Sequence, residues 1–290
     1  MVHGSYNVDT KDVMINAISS DGFVSVLVAS TTLLTKHAQR IHGMTLVAAA
    51  ALGRLLTAAS LMSGVLNKSD ASLTLQMNGG GSAGSLVAIS DDKGNVRGFA
   101  QNPNADAPLT DEGRLDIKAI VGIDGMLTVT REFRGMEPHI GATRLVSGDI
   151  AGDVTEYFDA SEQIQATCAL DVMNGGSKTV LAAGGYIAQL LPDASAKAAK
   201  TLKSNMAATG EVGGVLFDGG LEALLDSVMS GLSPHIISCV PIEYKCTCNR
   251  ERVLSALSSL GRKDLDELRS VSGPIEVCCQ YCRATYSIDI

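Results

Sequence analysis

Residues 72–100 read SLTLQMNGGGSAGSLVAISDDKGNVRGFA, and this stretch decides the fold class. Ser72–Gln76, Ser85–Ile89 and Val96–Ala100 are short apolar or alternating runs of the kind that form strands. Asn78-Gly79-Gly80-Gly81 and Asp91-Asp92-Lys93-Gly94-Asn95 between them are turn sequences, so the three strands should follow one another as an antiparallel meander. The glycines of Gly79–Gly84 resemble a phosphate loop, but no Gly-Lys-Ser/Thr follows. The next element is a strand, not a helix whose N-terminus could hold an anion, so a hairpin turn is expected.

On the N-terminal side, Phe23, Val24, Val26 and Val28 predict a strand, and Lys36–Ile41 predicts an amphipathic helix ended by His42 and Gly43. Thr45–Leu66 is a long apolar run. Arg54 near its middle, with Gly53, Ser60, Ser63 and Gly64, makes membrane insertion costly, so the run predicts a buried core helix. On the C-terminal side, Met126–Arg131 and Thr143–Val146 continue the strands and Asp149–Ser161 reads as a helix. Ala166–Val172 and Thr179–Ala183 flank a turn at Asn174-Gly175-Gly176-Ser177. The expected fold is therefore α+β, with a β-rich domain and packed helices over residues 1–190.

Composition changes over residues 191–238, which read as a helical, Gly-rich linker region. Ala, Gly, Ser and Lys dominate Asp193–Thr209, and Gly210–Gly220 contains five glycines. Leu221, Leu224, Leu225 and Val228 then sit at helical spacing. Such a segment packs on a body yet belongs to the labile end of local stability.

A third unit, residues 239–290, holds six of the seven cysteines. Cys246 and Cys248 form a C-x-C pair, and Cys279 and Cys282 a C-x-x-C pair after a gap of thirty residues. Two short chelating pairs on separate turns let four thiolates converge on one Zn²⁺; the same thiols could instead pair as disulfides. Asn249 can cap a helix running to Leu260, with Val253, Leu254, Leu257 and Leu260 on one side. A second helix is expected at Asp264–Ser270, after which Ser272-Gly273-Pro274 turns the chain into a strand presenting Cys279 and Cys282. Such a unit has a very small apolar core, so its folding should depend on the metal.

Net charge is −8 and the isoelectric point about 5.1. Residues 240–290 carry as many Lys and Arg as Asp and Glu, so the excess acid lies in the body. This disfavours nucleic acid as a partner, as does the absence of Trp. His3, His37, His42, His139 and His235 show no H-x-x-x-H spacing; His235, near Cys239, is the one histidine placed to add a ligand. The Gly-rich turn is followed by a strand, not by the helix that a nucleophile elbow opens, so a hydrolase has little support. Met1–Asp12 lacks the basic and apolar regions of a signal peptide, so a cytoplasmic protein is expected, in which clustered thiols bind metal or act in redox chemistry.

Tyr244-Lys245-Cys246-Thr247-Cys248-Asn249-Arg250-Glu251-Arg252, the thirty-residue gap, and Cys279-Gln280-Tyr281-Cys282 ending near Tyr286 resemble the zinc-binding end of the heat-shock protein 33 family, redox-regulated holdase chaperones. Gly53-Arg54-Leu55-Leu56-Thr57-Ala58-Ala59, the Gly-rich hairpin, Val96-Arg97-Gly98, Glu156-Tyr157-Phe158 with Ser161-Glu162-Gln163, and Ala182-Ala183-Gly184-Gly185 resemble that family's body. The resemblance implies a non-enzyme that holds one zinc through Cys246, Cys248, Cys279 and Cys282 when reduced. It further implies disulfides Cys246–Cys248 and Cys279–Cys282 on oxidation, zinc release, binding of unfolding client proteins without ATP, and a homodimer in the oxidised state. Cys239 and Cys278 depart from the family pattern. A structural zinc protein without a switch uses the same ligands. A thiol-disulfide oxidoreductase would instead use Cys279 and Cys282, although such motifs usually open a helix, whereas this one follows the strand-like Pro274–Val277.

Overall fold

The computed structural model describes residues 11–64, 71–176, 179–260 and 273–288. The chain divides into two compact units, Met1–Tyr244 and Lys245–Ile290. The first is built on β1 (Asp12–Ile18), β2 (Val24–Ser30), β3 (Ala71–Asn78), β4 (Leu86–Asp91), β5 (Asn95–Ala100), β6 (Met126–Phe133), β7 (His139–Arg144), β8 (Ala166–Met173), β9 (Ala182–Leu190) and β10 (His235–Tyr244). They form one sheet in the order β7-β6-β3-β4-β5-β10-β1-β2-β9-β8. Its helices are α1 (Thr32–His42), α2 (Leu46–Ser63), α3 (Ile117–Val121), α4 (Ala151–Ala160), α5 (Ala196–Thr209) and α6 (Val212–Val228). The α+β class and the β3-β4-β5 meander are as the sequence predicts.

β10 joins two half-sheets. It runs antiparallel to β1 from Asp12↔Ile242 to Ile18↔His235, and parallel to β5 at Glu243↔Asn95 and Tyr244↔Val96. The two halves differ in how they are covered. In β2, Leu27 and Ala29 enter one core while Val24, Val26 and Val28 enter a second, so both faces are buried and the strand reads VSVLVAS with no polar face. In β3, by contrast, Ala71, Leu73, Leu75 and Met77 are buried and alternate with more exposed residues, as on a sheet with one wet face.

The first core surrounds α2. Thr45 caps this helix, its Oγ1 accepting from the Ala48 N–H at 3.2 Å. With a mean hydropathy of 1.6 the helix is long and apolar enough to cross a membrane, but 89% of it is buried within the protein, which makes it the core helix. Its hydroxyls are satisfied locally. Thr57 donates to the Gly53 carbonyl at 2.8 Å and so accepts from Thr31 at 2.6 Å, and Ser60 donates to Leu56 O at 2.9 Å. The Gly79–Gly84 turn packs against α3: Ala83 N–H donates to Ile120 O at 2.8 Å, and a Cβ on Gly81 would lie 2.2 Å from that same oxygen. Its glycines serve close backbone approach.

Several boundaries differ from the sequence reading. β1 was not anticipated. β7 lies at His139–Arg144, not Thr143–Val146, and β9 at Ala182–Leu190, not Thr179–Ala183, because it runs on through Gly184-Gly185. Gly184 and Gly185 are each packed against a neighbouring strand's backbone, at Ala29 O and Ala169 O. The region 191–238 is mostly regular: α5 and α6, broken only at Gly220 (φ 71°), cover the second core together with β1, β2 and β9. A third unit was expected to start at residue 239, but β10 runs through this point as part of the sheet, and the second compact unit starts at Lys245. The helix expected at Asp264–Ser270 lies outside the described residues.

Candidate metal centre

The second unit contains α7 (Arg250–Ser258) and a hairpin of β11 (Ile275–Cys278) and β12 (Thr285–Ile288), paired from Ile275↔Ile288 to Cys278↔Thr285. Cys246 and Cys248 lie between β10 and α7, outside any helix or strand. Asn249 then starts the helix as expected, its Oδ1 accepting from Arg252 N–H at 2.8 Å. Cys279 and Cys282 occupy the β11–β12 turn. Cys279 N–H donates to Ala284 O and Arg283 N–H to Cys279 O, both at 2.9 Å, with Arg283 in the left-handed region at φ 62°. Arg250 donates to Ser287 O at 2.6 Å and so ties the start of α7 to β12.

These elements bring the four predicted thiols together. The Cys246 and Cys279 sulfurs are 3.8 Å apart, those of Cys248 and Cys282 are 3.3 Å apart, and all four lie within 4.8 Å of one another. Four sulfurs at about 2.3 Å from a tetrahedral Zn²⁺ would be roughly 3.8 Å apart, so the donor set and its spacing fit such an ion. All four are half-buried. His235 opens β10, exposed, and is not in this group.

Electrostatics favour one easily formed thiolate. Burial pushes the Cys248 thiol up, but hydrogen bonds from Tyr286, Cys282, Cys246 and Cys279 outweigh it and bring it down to about 7. Burial, together with neighbouring sulfurs, raises Cys246 and Cys282 instead. A divalent cation would relieve that mutual repulsion. Tyr286 Oη is 3.1 Å from Cys248 Sγ, and this contact was not foreseen, although Tyr286 fits the inward alternation of β12 opposite Val277.

The remaining cysteines are elsewhere. Cys278 ends β11 and is exposed, with Sγ 3.7 Å from Arg283 O. Cys239 sits in β10 opposite Ile15, partly covered by the second core, and burial raises its thiol. Cys168 is buried in β8, which raises its thiol further.

α7 buries none of its residues, and Ile288 is the one described residue of this unit that is fully buried. Among the described residues, few apolar contacts therefore hold the unit together without a cross-link at the sulfurs.

Comparison with known proteins agrees with the architecture. A family profile described as Hsp33 protein matches residues 12–289. The 33 kDa chaperonin of Ruminiclostridium cellulolyticum is 38% identical over 277 residues, covering 95% of this chain and 94% of that protein. That of Clostridioides difficile is 38% identical over 278 residues, covering 95% of each. The crystal structure of the 33 kDa chaperonin (heat shock protein 33 homolog) from Thermotoga maritima superposes with a TM-score of 0.88 at 26% identity, covering 96% of this chain and 94% of that one.

Proposed function

The chain belongs to the Hsp33 family, and from that premise we propose that it is a redox-regulated, ATP-independent holdase of the cytoplasm. The reduced form holds one zinc ion through Cys246, Cys248, Cys279 and Cys282. The bound ion supplies the cross-link that the second unit's own side chains do not. Hydrogen peroxide would take two electrons from the two thiolates of each pair and two protons from solvent, giving two waters and one disulfide per peroxide, Cys246–Cys248 and Cys279–Cys282. The four sulfurs are then no longer thiolate ligands, and a unit with almost no buried side chain among its described residues unfolds.

The observation that carries this reading is the presence in one chain of a thiol cluster with little buried around it among the described residues and, before β10, of the α5–α6 hairpin. The hairpin covers an apolar sheet face, and its opening would expose that face together with its own leucines. Unfolding client proteins bind there, and a homodimer forms in the oxidised state; neither nucleic acid nor membrane is a partner. An oxidoreductase is less well supported, because Cys279 and Cys282 lie in a hairpin turn and not at a helix N-terminus that would favour the thiolate.

The test follows zinc release and aggregation of a heat-denatured client together while peroxide is added under mild heat. Zinc loss should coincide with protease sensitivity over α5–α6, a resistant body, and client protection that a reductant reverses. Zinc loss without client protection would leave a structural zinc role as the better account.

A further inference from the structure

The α5–α6 hairpin meets the sheet through apolar contact, with Leu202, Leu216 and Leu224 against Val26, Val28 and Tyr186. Such contact is non-directional and sets no register. Backbone bonds from Leu191 N–H to Phe23 O at 2.9 Å and from Ser20 N–H to Leu232 O at 3.2 Å hold the two ends of the region, and two side-chain ties hold the start of α6 to the body. One is the ion pair of Arg114 with Glu211, whose side chains are 60% and 62% exposed, a setting in which ion pairs stabilise little. The other is partly buried. Asp171 Oδ2 accepts from the Gly213 N–H at 2.9 Å, at the positive N-terminal end of α6.

Asp171 is itself held. Its Oδ1 accepts from Arg54 Nη2 at 3.3 Å and from Val172 N–H at 2.8 Å, and Arg54 Nη1 donates to Asp149 O at 3.2 Å. Leu170 and Val172 of β8 point into the first core and Met173 packs on the second, so alternation puts Asp171 on the second-core side. Arg54 comes from α2 in the first core. It reaches Asp171 around the outer edge of β8, the last strand of the sheet.

We propose that this Arg54–Asp171–Gly213 chain is the catch that keeps the α5–α6 hairpin closed over the sheet, and that its strength sets how readily the hairpin opens. That opening regulates client binding rests on the chaperone reading above; the catch itself does not.

Gly213 gives the decisive substitution. A Cβ there would lie 2.7 Å from Asp171 Oδ2 and 2.9 Å from the Met173 Cβ, whereas a Cβ on Gly214 meets nothing within 4 Å. Helix propensity alone makes Ala stabilising at both positions. The catch makes the two variants move in opposite directions. In the reduced full-length chain, hydrogen exchange of α6 amides should slow in Gly214→Ala, and should quicken about tenfold in Gly213→Ala and in Asp171→Ala, with β1 and β2 amides unchanged. Asp171→Asn, which keeps the shape and one acceptor, should fall between Asp171→Ala and the parent. Equal slowing in both glycine variants, unchanged exchange in Asp171→Ala, or equal loss of protection in β1, β2 and α6 would each overturn the proposal. The readout is independent of clients: faster α6 exchange without a lower oxidant threshold for client protection would uphold the catch and count against the chaperone reading.

Discussion

The Tyr244 phenol donates to the Gly98 carbonyl at 2.8 Å, which fixes the last residue of the first unit to β5. His42 Nε2 approaches the same phenol at 3.2 Å, and the His37 ring lies 4.9 Å from the Tyr244 ring. The parallel ladder between β10 and β5 is two residues long, so this cluster reinforces the narrowest join in the sheet. It stands one residue before the second unit.

Tyr244→Phe removes the hydroxyl and leaves the ring. The first unit should lose about 1 kcal/mol, with the loss concentrated where β10 meets β5. Exchange of the Glu243 amide, which donates to Gly94 O, should rise about fivefold while β3–β4 amides are unchanged. Undiminished protection at Glu243 would show that the ladder holds without the phenol.

Single Cys→Ser changes at 246, 248, 279 and 282 should each lower zinc affinity by about a hundredfold or more, since each removes one of four donors. Tyr286→Phe should cost about tenfold by removing the hydroxyl beside Cys248. Cys278→Ser should leave affinity unchanged. Competition against a chromogenic chelator measures all six, and a Cys279→Ser protein of full affinity beside a Cys278→Ser protein that has lost it would refute the ligand set.

In the zinc-loaded protein, alkylation should proceed in the order Cys278, Cys239, then the four ligands and buried Cys168. Cys278 is exposed, whereas Cys239 is half covered and its thiol is raised by burial. Mass mapping of partly labelled protein gives the order directly. Equal protection of Cys278 and Cys279 would mean that the site extends beyond four sulfurs.

Asp12 begins β1 and caps α1, its two oxygens accepting from Leu33 and Leu34 N–H at 3.1 and 2.6 Å. Burial raises its carboxyl from 3.8 to about 6, against the opposing pull of these backbone bonds. The folded state therefore binds this proton more tightly than the unfolded state. The stability it contributes is complete below about pH 4 and is lost as pH rises through about 6. Between pH 4 and 7 the stability of Asp12→Asn relative to the parent should improve by on the order of 2–3 kcal/mol. Denaturant titrations across that range check it, and a constant difference would place the Asp12 carboxyl in its ordinary range.

Elements whose signals are local were legible in the sequence. Asn249 caps α7 because a side-chain oxygen next to the first turn satisfies a free N–H group whatever lies beyond. The β3-β4-β5 meander followed from alternation and turn residues. β10 was missed because HIISCVPIEY is mostly exposed and carries no alternation to betray it. β9 reaches beyond the predicted Thr179–Ala183 because it is buried on both faces, and glycines inside a strand weaken the local signal for it.

For the site, the sequence by itself determined the four thiols and their grouping into two chelating pairs, because chelation by short C-x-C and C-x-x-C segments depends on local spacing alone. It also determined the near absence of a core around them, which is a matter of composition. Only the tertiary structure decided that α5 and α6 form a second core, that β10 rather than a linker leads to the first cysteine pair, and that Arg54, Asp171 and Gly213 meet. Those residues are 117 and 42 positions apart in the chain. Contacts of that span are fixed by how whole faces pack against one another, and no local pattern of residues encodes them.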